Sequence, residues 1–170
     1  MTTSMMDDTF GHHVWATRRL LDACLSLSPD QLAMAVPGTY GSILQTARHL
    51  VGDDAWDLFV ITGQRDLLVD EDRAGLAELD AAMARNGEGW LRVLAGDLDP
   101  DAVLVEIDEN DGFRRDASLG IWLAQALDHG TDHRSQICTA LTLLGVRPPA
   151  IDAFQFGLVA GRNVETPPAT

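Results

Sequence analysis

Apolar side chains recur every three or four residues in four long stretches of the chain, which is the spacing of an amphipathic helix. The first stretch predicts a helix over residues ~8–27. Its apolar or small positions are Phe10, Val14, Thr17, Leu21 and Cys24. The second stretch predicts a helix over residues ~42–62, because Ser42 and Gln45 have the spacing of an N-terminal capping box and Gly63 follows as a stop signal.

The third and fourth stretches predict two further long helices. The third stretch follows Leu76, Leu79, Met83, Trp90 and Leu94. The fourth begins after Ser118, a good N-cap residue, and ends at Gly145, a typical C-terminal residue. Its inward positions are Leu119, Trp122, Ala126, His129, His133, Ile137, Ala140 and Leu144.

Shorter elements are predicted between and after these helices. Ser28-Pro29 favours one short helical turn, since proline suits the first helical position after a serine cap. Partial alternation from Val103 to Ile107, followed by the turn signal Asp111-Gly112, predicts a small hairpin before the last long helix. A short helix is predicted within residues 151–161, and residues 162–170 are expected to form a frayed tail.

These elements together predict an all-α protein. Four helices of roughly 20 to 28 residues with apolar stripes are most simply arranged as a four-helix bundle about 30 Å long. The chain has 170 residues, so we expect a single domain over residues 1–170. The connections permit either parallel or antiparallel neighbours and do not decide the topology.

The composition narrows the class and the partners. Hydrophobic residues make up 46% of the chain, which is typical of a soluble globular protein. The formal net charge of −14 disfavours nucleic acid and anionic membranes as partners. No apolar run predicts a membrane helix and the acidic start does not look like a signal peptide, so we expect a cytoplasmic protein. Cys24 and Cys138 are interpreted as reduced core residues, with a reactive or metal-binding thiol as the alternative.

Histidines carry the clearest chemical signal. His129 and His133 are four residues apart on the inward stripe of the fourth helix, so both rings project from one face and can share a metal ion. The alternative is a pair of buried histidines that bond to neighbouring polar groups. A pair leaves a metal under-coordinated, and His49 on the second helix is the candidate for a third ligand, although its stripe lies to one side. His12 and His13 are interpreted as a solvated helix start, with a position near the metal as the alternative.

At this point the sequence resembles the DinB/YfiT-like family of metalloenzymes over nearly its whole length. Three segments carry the resemblance: FGHHVWATRRLLDACLSLSPDQL, GSILQTARHLVGDDAWDLFVITG and LDHGTDHRSQICTALTLLGVRPPAIDAFQF. In the last segment a histidine, three residues, His-Arg and a nearby Gln precede Leu-Gly and Pro-Pro. That combination is more specific than the bare spacing of two histidines.

The resemblance implies a four-helix bundle in which His49, His129 and His133 bind one divalent metal ion. By affinity order we expect zinc or nickel, and three protein ligands leave a coordination position open, as in catalytic sites. Asp53, Asp132 and Gln136 are candidates to orient the ligand rings through hydrogen bonds, with solvated or capping roles as alternatives. Trp56 and Trp122 are interpreted as core aromatics or as walls of a pocket.

Three functions remain open from the sequence. The resemblance includes thiol-dependent S-transferases, so a low-molecular-weight thiol is the first expectation, and the absence of lysine favours mycothiol through a GC-rich actinobacterial host. Metal-dependent hydrolysis with Asp53 or Asp132 as base is the second, and a non-catalytic stress-response binding protein is the third. The polar groups available to recognise a thiol are Arg48, Arg134, Gln45, Gln125 and Gln136. A homodimer is expected from relatives and from Trp15 and Leu20 outside the core stripe.

Overall fold

A computed structural model describes residues 4–107 and 112–168, and helices dominate it. In chain order the elements are α1 (Met5–Cys24), α2 (Pro29–Leu32), α3 (Ile43–Thr62), a 3₁₀ turn (Arg65–Leu67), α4 (Leu76–Leu94), β1 (Val103–Ile107), β2 (Arg114–Ser118), α5 (Leu119–Leu143) and α6 (Ala153–Val159). The mostly helical class is therefore confirmed. So are the four long helices and the hairpin before the last of them.

Capping residues explain where the helices begin. α3 begins after Ser42 as predicted, and Ser42 and Gln45 bond to each other's backbone N–H groups. α1 begins at Met5, earlier than predicted, because Ser4 and Asp7 form a capping box in which aspartate replaces the usual glutamate. α1 also ends at Cys24, three residues before the predicted end.

The remaining boundaries follow turn chemistry. Ser28 caps α2 together with Gln31. Ser118 occupies the N-cap position of α5, but its side chain makes no capping hydrogen bond. In the hairpin Val103 lies opposite Ser118, and the predicted turn residue Asp111 lies outside the described residues. Residues 162–168 form no helix or strand, although Arg162 donates to Asp8 at 2.9 Å.

The four long helices bury a shared apolar core. α1 packs against α4 and α5, and α3 packs against the same two helices. Each fully buried leucine in this core contributes roughly 1.5–3 kcal/mol relative to exposure. The fully buried large apolar side chains are Trp90, Phe10, Leu20, Leu21, Ile43, Leu50, Leu58, Leu79, Met83, Ile137 and Leu141. None of the helices in the described ranges has the length and hydropathy needed to cross a bilayer.

One prediction about α1 was wrong. Leu20 was expected outside the core stripe, but it is 1% exposed and belongs to the core. Trp15 is half-buried, and its ring lies 5.7 Å from that of Phe156 on α6. These two residues therefore do not form the free apolar face on which the expectation of a homodimer partly depended.

Candidate metal centre

Three histidine rings from two packed helices converge on one point. α3 provides His49 and α5 provides His129 and His133. The Nε2 atom of His129 lies 3.2 Å from that of His49 and 2.9 Å from that of His133. Tetrahedral zinc with its usual bond lengths would space such nitrogens about 3.4 Å apart. The three rings are therefore spaced as ligands of a single ion, and they are the one such group among the described residues.

Two carboxylates contact the outer nitrogens of these rings. Asp53 Oδ2 lies 3.0 Å from His129 Nδ1, and Glu71 Oε2 lies 3.4 Å from His49 Nδ1. A carboxylate beside Nδ1 favours the proton there and leaves the Nε2 lone pair free for a metal. Asp53 thus contacts the ring of His129 on α5, although on its own helix it lies one turn after His49.

Glu71, which the sequence pattern did not indicate, lies in the connection between α3 and α4. Its carboxylate packs directly against α3 at Gly52: a Cβ there would collide with the Glu71 side chain in this position. Gly52 follows His49 by three residues and so lies on the same helix face. A glycine beside a candidate ligand was the available signal, but helical periodicity alone cannot connect it to a residue 19 positions later.

Tyr40 also belongs to the site and was not predicted. Its ring stacks on His49 with centroids 4.0 Å apart, and it meets His133 edge-on at 5.5 Å. The Tyr40 backbone N–H donates to Gln136 Oε1 at 2.7 Å, and Gln136 Nε2 donates to Asp132 Oδ2 at 2.9 Å. Gln136 and Asp132 therefore hold the loop that carries Tyr40.

The environment keeps two of the ligand rings, those of His129 and His133, neutral. Burial lowers the pKa of His129 to about 4, with further lowering by His133 and His49. Burial and then His49 also lower the pKa of His133. Its Nδ1 atom is buried and has no hydrogen-bond partner among the described residues. Neutral imidazole is the form that binds metals, so at neutral pH protons do not compete for these nitrogens.

The expectation of a solvated helix start was wrong for His13. This side chain is 1% exposed, its Nε2 lies 2.8 Å from Asp54 Oδ1, and Arg134 Nη1 lies 2.9 Å from its Nδ1. His12 is partly buried and bonds through Nε2 to the Ile151 carbonyl at 2.7 Å. His13 follows the buried Phe10 by three residues, so the helical pattern contained the signal.

His13 belongs to a buried polar network that joins the four long helices. Asp54 also accepts hydrogen bonds from Asn86 Nδ2 at 2.8 Å and Trp90 Nε1 at 3.0 Å. Arg134 also donates to Thr17 at 3.1 Å and to Thr131 at 2.9 Å. Burial lowers the pKa of Arg134 to about 10, so its guanidinium stays charged at neutral pH. The network lies one residue along the helices from Asp53 and His133, and so fixes the backbone that carries the site.

The other groups proposed for thiol recognition have mostly structural contacts. Arg48 Nε donates to the Ala74 carbonyl at 2.8 Å, and Gln45 completes the capping box of α3. Gln125 is exposed and, with Trp56 and Trp122, lines a cavity next to Asp53. Trp56 and Trp122 therefore lie in the wall of a pocket, as one of the two interpretations expected.

Both cysteines are free and lie outside the histidine cluster. Cys24 is buried, and burial followed by the neighbouring Cys138 raises its pKa to about 11. Burial also raises the pKa of Cys138, which is partly exposed. Raised pKa values describe unreactive thiols, in agreement with their interpretation as reduced core side chains.

A helical fold that brings three imidazoles together, with carboxylates behind two of them, defines a class of small helical proteins with a candidate metal site. The DinB family model matches residues 1–163, which is nearly the whole chain. The chain therefore belongs to the DinB family, as the resemblance implied. A search of curated proteins gave no significant match.

Proposed function

We propose that this protein binds one divalent metal ion through His49, His129 and His133 and is a metal-dependent enzyme. The observation that carries the proposal is the convergence of three Nε2 atoms with Asp53 and Glu71 behind the rings. Zinc or nickel is the proposed ion, because imidazole ligands suit both and the affinity order favours them. We further propose that the four long helices form a bundle of the DinB type.

The proposed reaction is group transfer to or from a low-molecular-weight thiol, with mycothiol as the first candidate. A bound divalent ion would supply a positive charge that lowers the pKa of a thiol and so presents a thiolate near neutral pH. The protein's own residues would orient the ligand rings and exclude water on one side. Tyr40 is 57% exposed and stacks on His49, so it forms the wall of the site on the side that faces solvent, where a substrate would enter.

Metal-dependent hydrolysis is the weaker alternative, because it requires a carboxylate that is free to act as base. Asp53 contacts His129, and Asp132 accepts from Gln136. Both carboxylates expected to serve as base are thus engaged. A non-catalytic binding role is the other alternative, and turnover assays separate it from the proposed enzyme.

Metal content tests the site. We expect purified protein loaded with Zn²⁺ or Ni²⁺ to retain about one ion per chain after desalting, measured by plasma mass spectrometry. His133→Ala should lose the ion, since two imidazoles remain. His12→Ala is the matched control, because His12 bonds to a backbone carbonyl outside the cluster and its loss should leave the metal content unchanged. Retention by His133→Ala, or a metal-free wild-type protein after loading, would contradict the proposal.

Thiol conjugation tests the reaction. The metal-loaded protein is assayed with chlorodinitrobenzene and mycothiol, bacillithiol, glutathione or cysteine, beside the His133→Ala variant. We expect turnover with at least one thiol, highest with mycothiol, and background rates for the variant. If no thiol gives metal-dependent turnover, the transferase function is wrong even where the metal binds. Ester and amide substrates in the same plates test hydrolysis.

A homodimer is also proposed, on narrower grounds than the sequence indicated. Leu91 on α4 is 62% exposed and lines an open groove with Trp15 on α1. Exposed apolar side chains around one groove are typical of contact surfaces. Sedimentation at micromolar concentration should give a dimer, and Leu91→Glu should shift it toward monomer. A wild-type monomer would contradict the proposal.

A further inference from the structure

A cavity of about 360 Å³ lies between α3, the hairpin and α5, directly beside the metal centre. Asp53 belongs to both places, because it contacts His129 and also lines the cavity. The cavity walls also include the side chains of Trp56, Asp57, Glu106, Arg115 and Trp122. A ligand in this cavity would therefore extend toward the histidines across Asp53.

Two buried polar groups on the cavity wall lack partners. Asp57 is 2% exposed, and its Oδ2 atom has no hydrogen-bond partner among the described residues. Trp122 is 7% exposed, and its indole N–H also has none. Buried polar groups are almost always paired, and leaving one unpaired costs about 1–3 kcal/mol. A carboxyl oxygen and an indole N–H without partners in one cavity indicate a ligand with a polar group for each.

The charges around Asp57 favour a cation. Asp53 and Asp54 lie on the same helix, and Glu106 faces Asp57 from β1. Burial, followed by these three carboxylates, raises the pKa of Asp57 to about 9, so the group is neutral at pH 7. Arg115 on β2 lies 3.6 Å from Glu106, whose other oxygen accepts from Trp56 at 2.6 Å. A positive ligand would relieve the repulsion among the carboxylates.

The aromatic walls specify an organic cation over a simple metal ion. Trp56 and Trp122 both line the cavity, and indole faces attract ammonium groups. The carboxylates here do not form a group spaced as metal ligands, since the histidine cluster is the one such group in the described chain. A volume of about 360 Å³ suits a small molecule.

We propose that this cavity is a binding subsite for a small organic molecule with a protonated primary amine, which pairs with Asp57, and a hydroxyl or carbonyl oxygen, which accepts from Trp122. When the ammonium group binds, the carboxylic acid of Asp57 releases its proton to solvent and the carboxylate pairs with the cation. The role of this ligand as a substrate rests on the proposed function, because it would place the amine-bearing molecule beside the metal. Binding itself does not require the metal.

The test compares 5-amino-1-pentanol with 1,5-pentanediol, which differ only in the amine. Binding to the full metal-loaded chain at pH 7.5 is followed by tryptophan fluorescence and by calorimetry in two buffers of different ionisation enthalpy. We expect the amino alcohol to bind at least tenfold more tightly than the diol, with release of close to one proton per ligand. Equal affinities, or binding without proton release, would overturn the proposal.

Two variants locate the site. Asp57→Asn should weaken amino-alcohol binding at least tenfold and abolish proton release, whereas Asp128→Asn, an exposed carboxylate on α5, should match the wild type. Trp122→Phe removes only the N–H, so it should weaken binding of the amino alcohol but not of pentylamine, which lacks the hydroxyl. Unchanged binding by either cavity variant contradicts the assignment, and Trp122→Phe remains a test if Asp57→Asn does not fold.

The metal-free protein separates this inference from the proposed function. His133→Ala should bind the amino alcohol with the affinity of the wild type, because the cavity does not include His133. If amine binding fails while thiol turnover is observed, the subsite is wrong and the enzyme stands. If amine binding persists without any turnover, the subsite stands and the proposed reaction fails.

Discussion

Asp53 and Asp54 are neighbours on α3, and each contacts one histidine of another helix, yet the two pairs differ in every other contact. Asp54 is 3% exposed and bonds to His13, Asn86 and Trp90. The other nitrogen of His13 meets Arg134, so the pair is saturated by protein. The Asp53 side chain is 27% exposed, and the second nitrogen of its partner His129 faces two further imidazole nitrogens. The role of an aspartate–histidine pair therefore depends on the contact of the second ring nitrogen. Where that nitrogen meets another protein group, as in His13, the pair stabilises the fold. Where it faces other imidazole nitrogens, as in His129, the pair orients a metal ligand.

The largest effect should come from breaking the saturated pair. Asp54→Ala leaves His13, Asn86 and Trp90 without their common acceptor and removes the carboxylate that balances buried Arg134. We expect a loss of about 3–5 kcal/mol in the free energy of unfolding, measured by urea denaturation. Asp53→Ala is the matched control and should cost far less, since its side chain is partly exposed. Equal losses for the two variants would contradict the comparison.

The second effect concerns the open pair and appears in metal affinity. Asp53→Asn removes the carboxylate beside His129 Nδ1, and the loss of such a partner typically weakens metal binding by about 10–100-fold. Competition with a chromogenic chelator measures the change, and urea denaturation should show little loss of stability in the metal-free protein. Asp128→Asn provides the same chemical change on exposed α5 and should bind metal normally. If Asp53→Asn lowers the stability but not the metal affinity, Asp53 stabilises the fold and does not prepare His129 as a ligand.

The smallest effect concerns a third carboxylate on the same helix, Asp57, which has neither a histidine nor a cation as hydrogen-bond partner among the described residues. Burial, followed by Asp53, Asp54 and Glu106, raises its pKa to about 9. Between the unfolded pKa near 4 and this value, the native state holds a proton that the unfolded chain releases. The contribution of Asp57 to stability therefore falls as the pH rises through this window, by about 1.4 kcal/mol per pH unit.

Asp57→Asn should remove this dependence. The urea midpoint of the wild type is expected to fall more steeply between pH 6 and pH 8 than that of the variant, while Asp128→Asn should keep the wild-type slope. The wild type and both variants must be measured without added amine, because a bound cation would lower the pKa of Asp57. Parallel slopes for the wild type and Asp57→Asn would show that another group controls the pH dependence.

The fold was predicted well where local signals decide it. Periodicity and the serine caps gave the four long helices, and the early start of α1 was missed because Ser4 pairs with an aspartate at the capping-box position. The buried face of α1 was predicted correctly at Phe10, Thr17, Leu21 and Cys24, but it is wider than the apolar stripe and also includes His13 and Leu20. The polar ring of His13 is not an apolar position, so the stripe did not include it.

The candidate site was predicted in part for a related reason. His129 and His133 could be paired by their spacing, and the family resemblance added His49. Glu71 and Tyr40 reach the site from connections, and no helical period relates a loop residue to a helix face. Asp57 follows Asp53 by one turn, but only the three-dimensional structure brings Glu106 and Trp122 to the same cavity.

The two carboxylates behind the histidine cluster come from different kinds of chain segment. Behind His129 the carboxylate of Asp53 belongs to α3 itself. Behind His49 the carboxylate of Glu71 belongs to the connection between α3 and α4 and lies against α3 at Gly52, where a Cβ would collide with it. The absence of a single methyl group thus gives a residue outside the long helices access to one ligand ring. The electrostatic environment of His49 therefore depends on how that connection packs against α3.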